Sequence, residues 1–102
     1  MGEWTFITKH GLVLSHISRH PRSTTRDIAL TLGFTERTVH KIIADLEVAG
    51  YLKRRKVGRS NTYRINPDLS LRHETTRDAV VGDLLEILGW KRRRRAKRAR
   101  QV

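Results

Sequence analysis

The chain has 102 residues, 37% of them hydrophobic and 31% charged, and a formal net charge of +12. That size suits one domain with a modest core, and that charge points to a polyanionic partner. The absence of cysteine excludes disulfides and thiolate-held metals. No apolar stretch approaches the ~18 residues needed to span a bilayer, and none forms a secretory h-region, so an intracellular soluble protein is expected. The charge is uneven. KRRRRAKRAR at 91–100 holds eight of the 22 basic residues and no acid, which leaves fourteen basic against ten acidic residues elsewhere, a balance of +4. A binding surface in the folded part must therefore be read from where those other cations sit.

In chain order, WTFI at 4–7 brings two aromatics and an isoleucine to the start, the mark of a segment packed down rather than frayed. Thr8 is placed to cap a helix over 9–19 with Leu12, Val13 and Ile17 as its apolar stripe and Leu14 alongside, and Pro21 ends it. Gly11 weakens this helix and would suit a close helix crossing. Residues 22–24 form a connector long enough for a minimal strand. Thr24 stands three before Asp27 in a capping-box pattern at the start of a helix over 25–32, with Ile28, Ala29 and Leu32 inward and Gly33 as a left-handed terminator. Phe34 is a candidate core anchor.

Thr35 then caps TERTVHKIIADLEVA, in which Val39, Ile42, Ile43 and Leu46 recur at i, i+3, i+4 and i+7, and Gly50 follows as a stop. At about 100° per residue, Arg37, Lys41 and Ala44 fall on the opposite side, flanked by Thr38 and His40. Two helices around a short glycine-containing turn make a helix-turn-helix. After Gly50 the period becomes two: YLKRRKV at 51–57 and TYRI at 62–65 read as strands around the turn GRSN. The hairpin carries Lys53, Arg54, Arg55, Lys56, Arg59 and Arg64, with no acid between Gly50 and Pro67. A charged edge that resists aggregation is the bland explanation; a basic surface for nucleic acid is the sharper one.

Beyond Pro67 a linker at 68–75 offers Leu69 and Leu71 to the domain. A last helix is predicted over 76–90, and Val80, Val81, Leu84, Leu85, Ile87 and Leu88 give it a broad apolar face. It either closes the core or meets its twin; dimer contact through Val80, Val81, Leu84, Leu85 and Leu88 is the expectation. From Lys91 the tail has nothing to bury and its charges repel, so it is expected to be disordered alone.

The order of these elements, and the run from Thr24 to Pro67, TTRDIALTLGFTERTVHKIIADLEVAGYLKRRKVGRSNTYRINP, resemble the DNA-binding core of MarR/ArsR-like transcriptional regulators. The shared features are the D-I-A helix, the glycine–hydrophobic–threonine turn, the L-E-x-A-G-Y-L end of the third helix, and a basic wing with G-R-x-N-x-Y at its tip. The opening WTFITKH and PDLSLRH look like those of a small subfamily of short regulators. The poly-arginine C-terminus departs from the family pattern. The resemblance implies an α+β, mainly α, winged helix-turn-helix, a three-helix core with a two-stranded basic wing (1–67), to which periodicity and charge add a linker and C-terminal helix (68–90) and a basic tail (91–102). It also implies that Thr35, Glu36, Arg37, Thr38, His40 and Lys41 face the major groove, with Arg59, Ser60 and Asn61 at the wing tip near the minor groove. The residue chemistry agrees for Arg37, Thr38, His40 and Lys41, since arginine or lysine donates to guanine and threonine touches an edge or a methyl. Glu36 suits either cytosine N4 or the helix dipole. Arg26, Lys53, Arg54, Arg55, Lys56 and Arg64 suit phosphates, which set register rather than read sequence.

His16 and His20 are four apart, but two imidazoles without a third ligand make a poor metal site. The pairs Asp83/Glu86 and Asp45/Glu47 lie on helices already explained by packing, with no pocket or nucleophile, so neither enzymatic activity nor a cofactor is expected. Few aromatics argue against base stacking on single strands. The expectation is a sequence-specific, dimeric regulator of duplex DNA, a repressor in the cytoplasm at the nucleoid. The alternative is a non-specific DNA-compacting or RNA-binding winged helix that leans on the tail. A protein-interaction module is disfavoured by the basic outer face of the third helix. Operator and effector are not legible.

Overall fold

The computed structural model describes residues 4–92; the tail from 93 onward, for which disorder is expected, lies outside the described residues. The elements are α1 (Lys9–Arg19), α2 (Thr25–Leu32), α3 (Glu36–Ala49), β1 (Leu52–Val57), β2 (Ser60–Ile65), a single 3-10 turn (Glu74–Thr76) and α4 (Val81–Ile87). This is the winged helix-turn-helix: four helices and one antiparallel ribbon.

Local chemistry starts and stops the three core helices. Thr8 accepts a hydrogen bond from the Gly11 amide. Thr24 and Asp27 form the reciprocal capping box, a feature worth about 0.5–2 kcal/mol where a threonine cap is lost. Thr35 accepts from the Thr38 amide. Gly33 and Gly50 end α2 and α3 at φ of 77° and 93°, and the Tyr51 amide reaches back to the Leu46 carbonyl at 2.9 Å, closing the last turn of α3.

The core forms where the three helices cross. Val13, Leu14 and Ile17 of α1, Ile28 and Ala29 of α2, and Val39, Ile42, Ile43 and Leu46 of α3 are buried together with Tyr51, Leu52 and Tyr63 of the hairpin region. At roughly 1.5–3 kcal/mol per fully buried aliphatic side chain, these contacts outweigh any single cap. Phe34 packs half-buried against this core beneath the Lys9 ammonium, 5.6 Å from its ring centre.

The ribbon pairs Leu52 with Ile65 through Val57 with Ser60, so only Gly58 and Arg59 make the turn, with Gly58 at φ 63° in the place a type II′ turn reserves for glycine. The turn is two residues rather than the predicted four because Ser60 and Asn61 join the ladder. Residues 22–24 form no strand. The Pro21 carbonyl accepts from the Tyr63 amide at 3.1 Å and the Thr62 hydroxyl at 3.3 Å, tying the connector to β2.

Three further expectations are corrected. Trp4 and Phe6 are exposed, at 74% and 90%, and stack edge-on against each other with ring centres 5.0 Å apart. Gly11 accommodates the side chain of Ile7, which a Cβ would meet at 2.5 Å, and not another helix. The last helix covers Val81–Ile87 rather than 76–90. The linker explains the shortening. Leu71 N–H bonds the Ala79 carbonyl and Val81 N–H the Leu69 carbonyl, so residues 79–81 pair with 69–71 and Val80 is extended. Gly82 then donates to the Pro67 carbonyl at 2.9 Å, an approach at which a Cβ would collide with Pro67. Val81 and Leu85 enter the same core as α1–α3, and Val80, Leu84 and Leu88 are half-buried. Even the start of the basic tail is held. Arg92 bonds Glu86 at 2.6 Å, lies 3.5 Å from Asp83, and covers the Trp90 ring.

Candidate nucleic-acid interface

The inward stripe of α3 is spent on the core, which turns Arg37, His40, Lys41 and Ala44 outward; all four are exposed. Thr38 is half-buried, and its hydroxyl is hydrogen-bonded to that of Thr35 at 2.9 Å. Thr35 and Glu36 are exposed at the helix start. Lys41 lies 3.9 Å from Asp45, whose carboxylate accepts a hydrogen bond from His10 at 2.8 Å. That bond to His10 holds Asp45 below the usual carboxylate range. The Lys41 ammonium is thus loosely tethered and 77% exposed, free to leave for a stronger acceptor.

A cleft of about 290 Å³ opens between α3 and the wing. His40 and Ala44 line one wall, Arg59, Ser60 and Asn61 the other, and Arg22 with Thr25 closes the end beside α2. Ala44, the small residue on the outer face of α3, leaves this space open. The described structure therefore brings His40 together with Arg59, Ser60 and Asn61. Arg37 and Lys41 stand along the same exposed helix face but do not line the cleft, and Arg26 is exposed in the first turn of α2.

Arg54, expected at a phosphate, is engaged within the chain. Its guanidinium donates to both carboxylate oxygens of Glu47, at 2.9 and 3.0 Å. The hydrogen bonds and charge of Glu47 raise the Arg54 pKa further, so its guanidinium stays charged. Next to it, burial pushes the Tyr63 phenol up. Lys53, Arg55, Lys56 and Arg64 are exposed on the ribbon.

Arg22, Ser23, Thr24 and Thr25 line the cleft and were missed by sequence reasoning. A cation in a three-residue connector carries no pattern; only the bond from the Pro21 carbonyl to β2 puts it beside the wing. His16 does not face a metal ligand set. Its Nε2 meets the Ser23 hydroxyl at 3.2 Å, and among the described residues no group of three His, Cys, Asp or Glu is placed to hold an ion. Glu47 and Asp45 are partners of cations rather than of each other. A larger cavity, about 600 Å³, lies between His10, Asp45, Val48 and Arg72 and shares no residue with the basic cleft. Among the described residues, no helix is long and apolar enough to cross a membrane.

The family model described as the MarR family matches residues 5–60, from ahead of α1 to the first residue of β2, which includes α3 and the wing turn. No curated protein matches the chain.

Proposed function

Because the chain belongs to the MarR family, whose members are DNA-binding transcriptional regulators, we propose that it is a sequence-specific regulator of duplex DNA that acts as a dimeric repressor by occupying a promoter. α3 enters the major groove, where Arg37 and Lys41 donate to guanine edges, Thr38 and His40 touch neighbouring bases, and Thr35 and Glu36 approach the groove at the helix start. Arg59, Ser60 and Asn61 lie along the adjacent minor groove, and Arg26, Arg22 and Lys56 hold phosphates. The dimer forms through the C-terminal helix. Protein and target meet in the cytoplasm, at the nucleoid.

The observation that carries this reading is the juxtaposition in one cleft of the exposed α3 face, at His40 and Ala44, with the wing tip at Arg59, Ser60 and Asn61, with Arg22 at its end and no acid lining it. A helix of this kind with an apolar outer face would suit a protein partner; this one has Arg37, His40 and Lys41 there.

The test is selection of bound sites from random duplexes, followed by titration of Arg37→Ala and Lys41→Ala on the selected site and on random DNA. Each lost base contact should cost ~1–3 kcal/mol on the site and less on random sequence. Unchanged preference and affinity in both variants would remove α3 from the groove. The alternative, non-specific compaction or RNA binding, rests on the eight cations at 91–100. It requires that removing 91–102 abolish nearly all binding, whereas a regulator without its tail keeps its site preference.

A further inference from the structure

Strand alternation divides the cations of the wing between two faces. Leu52 and Ile65, Arg54 and Tyr63, Lys56 and Asn61 are cross-strand pairs on one face; Lys53 and Arg64, Arg55 and Thr62, Val57 and Ser60 are pairs on the other. The first face packs on the domain, with Leu52 and Tyr63 buried and Arg54 held by Glu47 of α3. Along its base the second turns away from α3, and so from the duplex whose phosphates the sequence assigned to Lys53, Arg55 and Arg64. Lys53, Arg55 and Arg64 are exposed there, and none of these three side chains has an ion-pair or hydrogen-bond partner among the described residues. A groove of about 290 Å³ is lined by these three and Arg54.

Lys53 lies directly opposite Arg64, and like charges so placed destabilise a ribbon. Charge on a sheet edge protects it from strand pairing, but that role does not call for two cations facing each other across the ladder. Three unpaired cations, two of them repelling across the ladder, form instead a surface that is relaxed by an external polyanion. The face has the spacing for duplex phosphate: residues 53 and 55 are about 7 Å apart along the strand, a span over which each DNA strand presents about two charges. Toward the tip this side meets the domain again, Thr62 bonding the Pro21 carbonyl and Ser60 lining the α3 cleft, and it includes no aromatic on which unpaired bases could stack.

We infer that the outer face of the wing, Lys53, Arg55 and Arg64, binds the phosphate backbone of a second DNA duplex, so that a protein seated on one segment through α3 bridges to another. The inference rests on the reading of α3 as the helix that holds the first duplex. Contacts on this second face are sequence-independent, since exposed cations on a ribbon neutralise phosphates without a fixed geometry toward base edges.

The experiment uses the full chain. A short duplex carrying the selected site is fixed to beads, saturated with protein, and presented with a labelled random duplex. Capture of the second duplex should fall about tenfold in Lys53→Gln/Arg55→Gln/Arg64→Gln, while half-saturation of a single duplex in dilute solution moves by no more than about twofold and its salt slope is unchanged. A parallel variant, Arg93→Gln/Arg94→Gln/Arg95→Gln, separates the tail. Loss of bridging confined to that variant, with the outer-face variant bridging like wild type, overturns the inference. So does a single-duplex salt slope that becomes shallower by about 0.9 per contact in the outer-face variant, since the face then touches the same duplex as α3. Failure of the α3 reading shows separately, as site preference that survives Arg37→Ala and Lys41→Ala.

Discussion

His16 shows how a single buried polar side chain can matter to the whole binding surface. It is 7% exposed, its ring stands 4.9 Å from that of His20, and it bonds Ser23 across the α1–α2 corner. That corner contains Pro21, whose carbonyl receives the amide of Tyr63 in the wing. Burial first, then the charges of His20 and Arg19, lower the His16 pKa, with Asp27 opposing. The unfolded chain therefore takes up this proton near the ordinary value of about 6.5, and the folded chain only at lower pH. The contribution to stability is complete above that value and is lost as pH falls through the folded value, at no more than about 1.4 kcal/mol per pH unit. His16→Gln should flatten this part of the melting-temperature profile below about pH 6.5. A variant that melts with the same pH slope as wild type would assign the slope to another group.

At the scale of elements, the angle between α3 and the wing is set by more than the short connection at Gly50. The Glu47–Arg54 pair joins the last turn of α3 to β1 with two hydrogen bonds, Glu47 being 21% and Arg54 49% exposed. Such a pair contributes little to global stability, about 0.2–1 kcal/mol. Its effect is to hold the wing where Arg59 and Asn61 face the same cleft as His40. Glu47→Gln should therefore lower preference for the selected site, and the released Arg54 should steepen the salt slope on random DNA by up to about 0.9. Arg54→Ala should lower preference without changing that slope. A slope shallower by about 0.9 with preference intact would instead return Arg54 to the phosphate contacts that its sequence position suggested.

For the molecule as a whole, the C-terminal segment has two sides. Val81 and Leu85 close the core. Leu84 and Ile87 lie on the other side of α4, with Val80 at its start, and Ile87 is 81% exposed. A two-fold dimer built on Val80, Leu84, Ile87 and Leu88 would read pseudo-palindromic half-sites ~34–36 Å apart or a multiple of that distance. Ile87→Asp spares the core and should yield folded monomers with weakened binding to paired half-sites, as read by light scattering and titration. Wild-type protein that stays monomeric at high micromolar concentration would refute the dimer.

Sequence alone determined the parts of this protein that depend on neighbours in the chain. Thr24 with Asp27, Thr35, Gly33 and Gly50 act within four residues of themselves, and the stripe from Val39 to Leu46 repeats at the helical period, so α2, α3 and the start of the hairpin were legible. The exposed face of α3 followed from the same period. Only the tertiary structure decided what the long-range partners do. The periodicity of 76–90 is helical, yet residues 79–81 pair with 69–71 because the core captures Leu69, Leu71, Val81 and Leu85 together, leaving α4 two turns long. Arg22 reaches the cleft because its neighbour Pro21 bonds Thr62, 41 residues along the chain, and Arg54 leaves the set of free cations through Glu47, seven residues away. Spacing in sequence encodes which face a residue takes, but which element comes to stand against that face is settled by the packing of apolar surface across the whole chain.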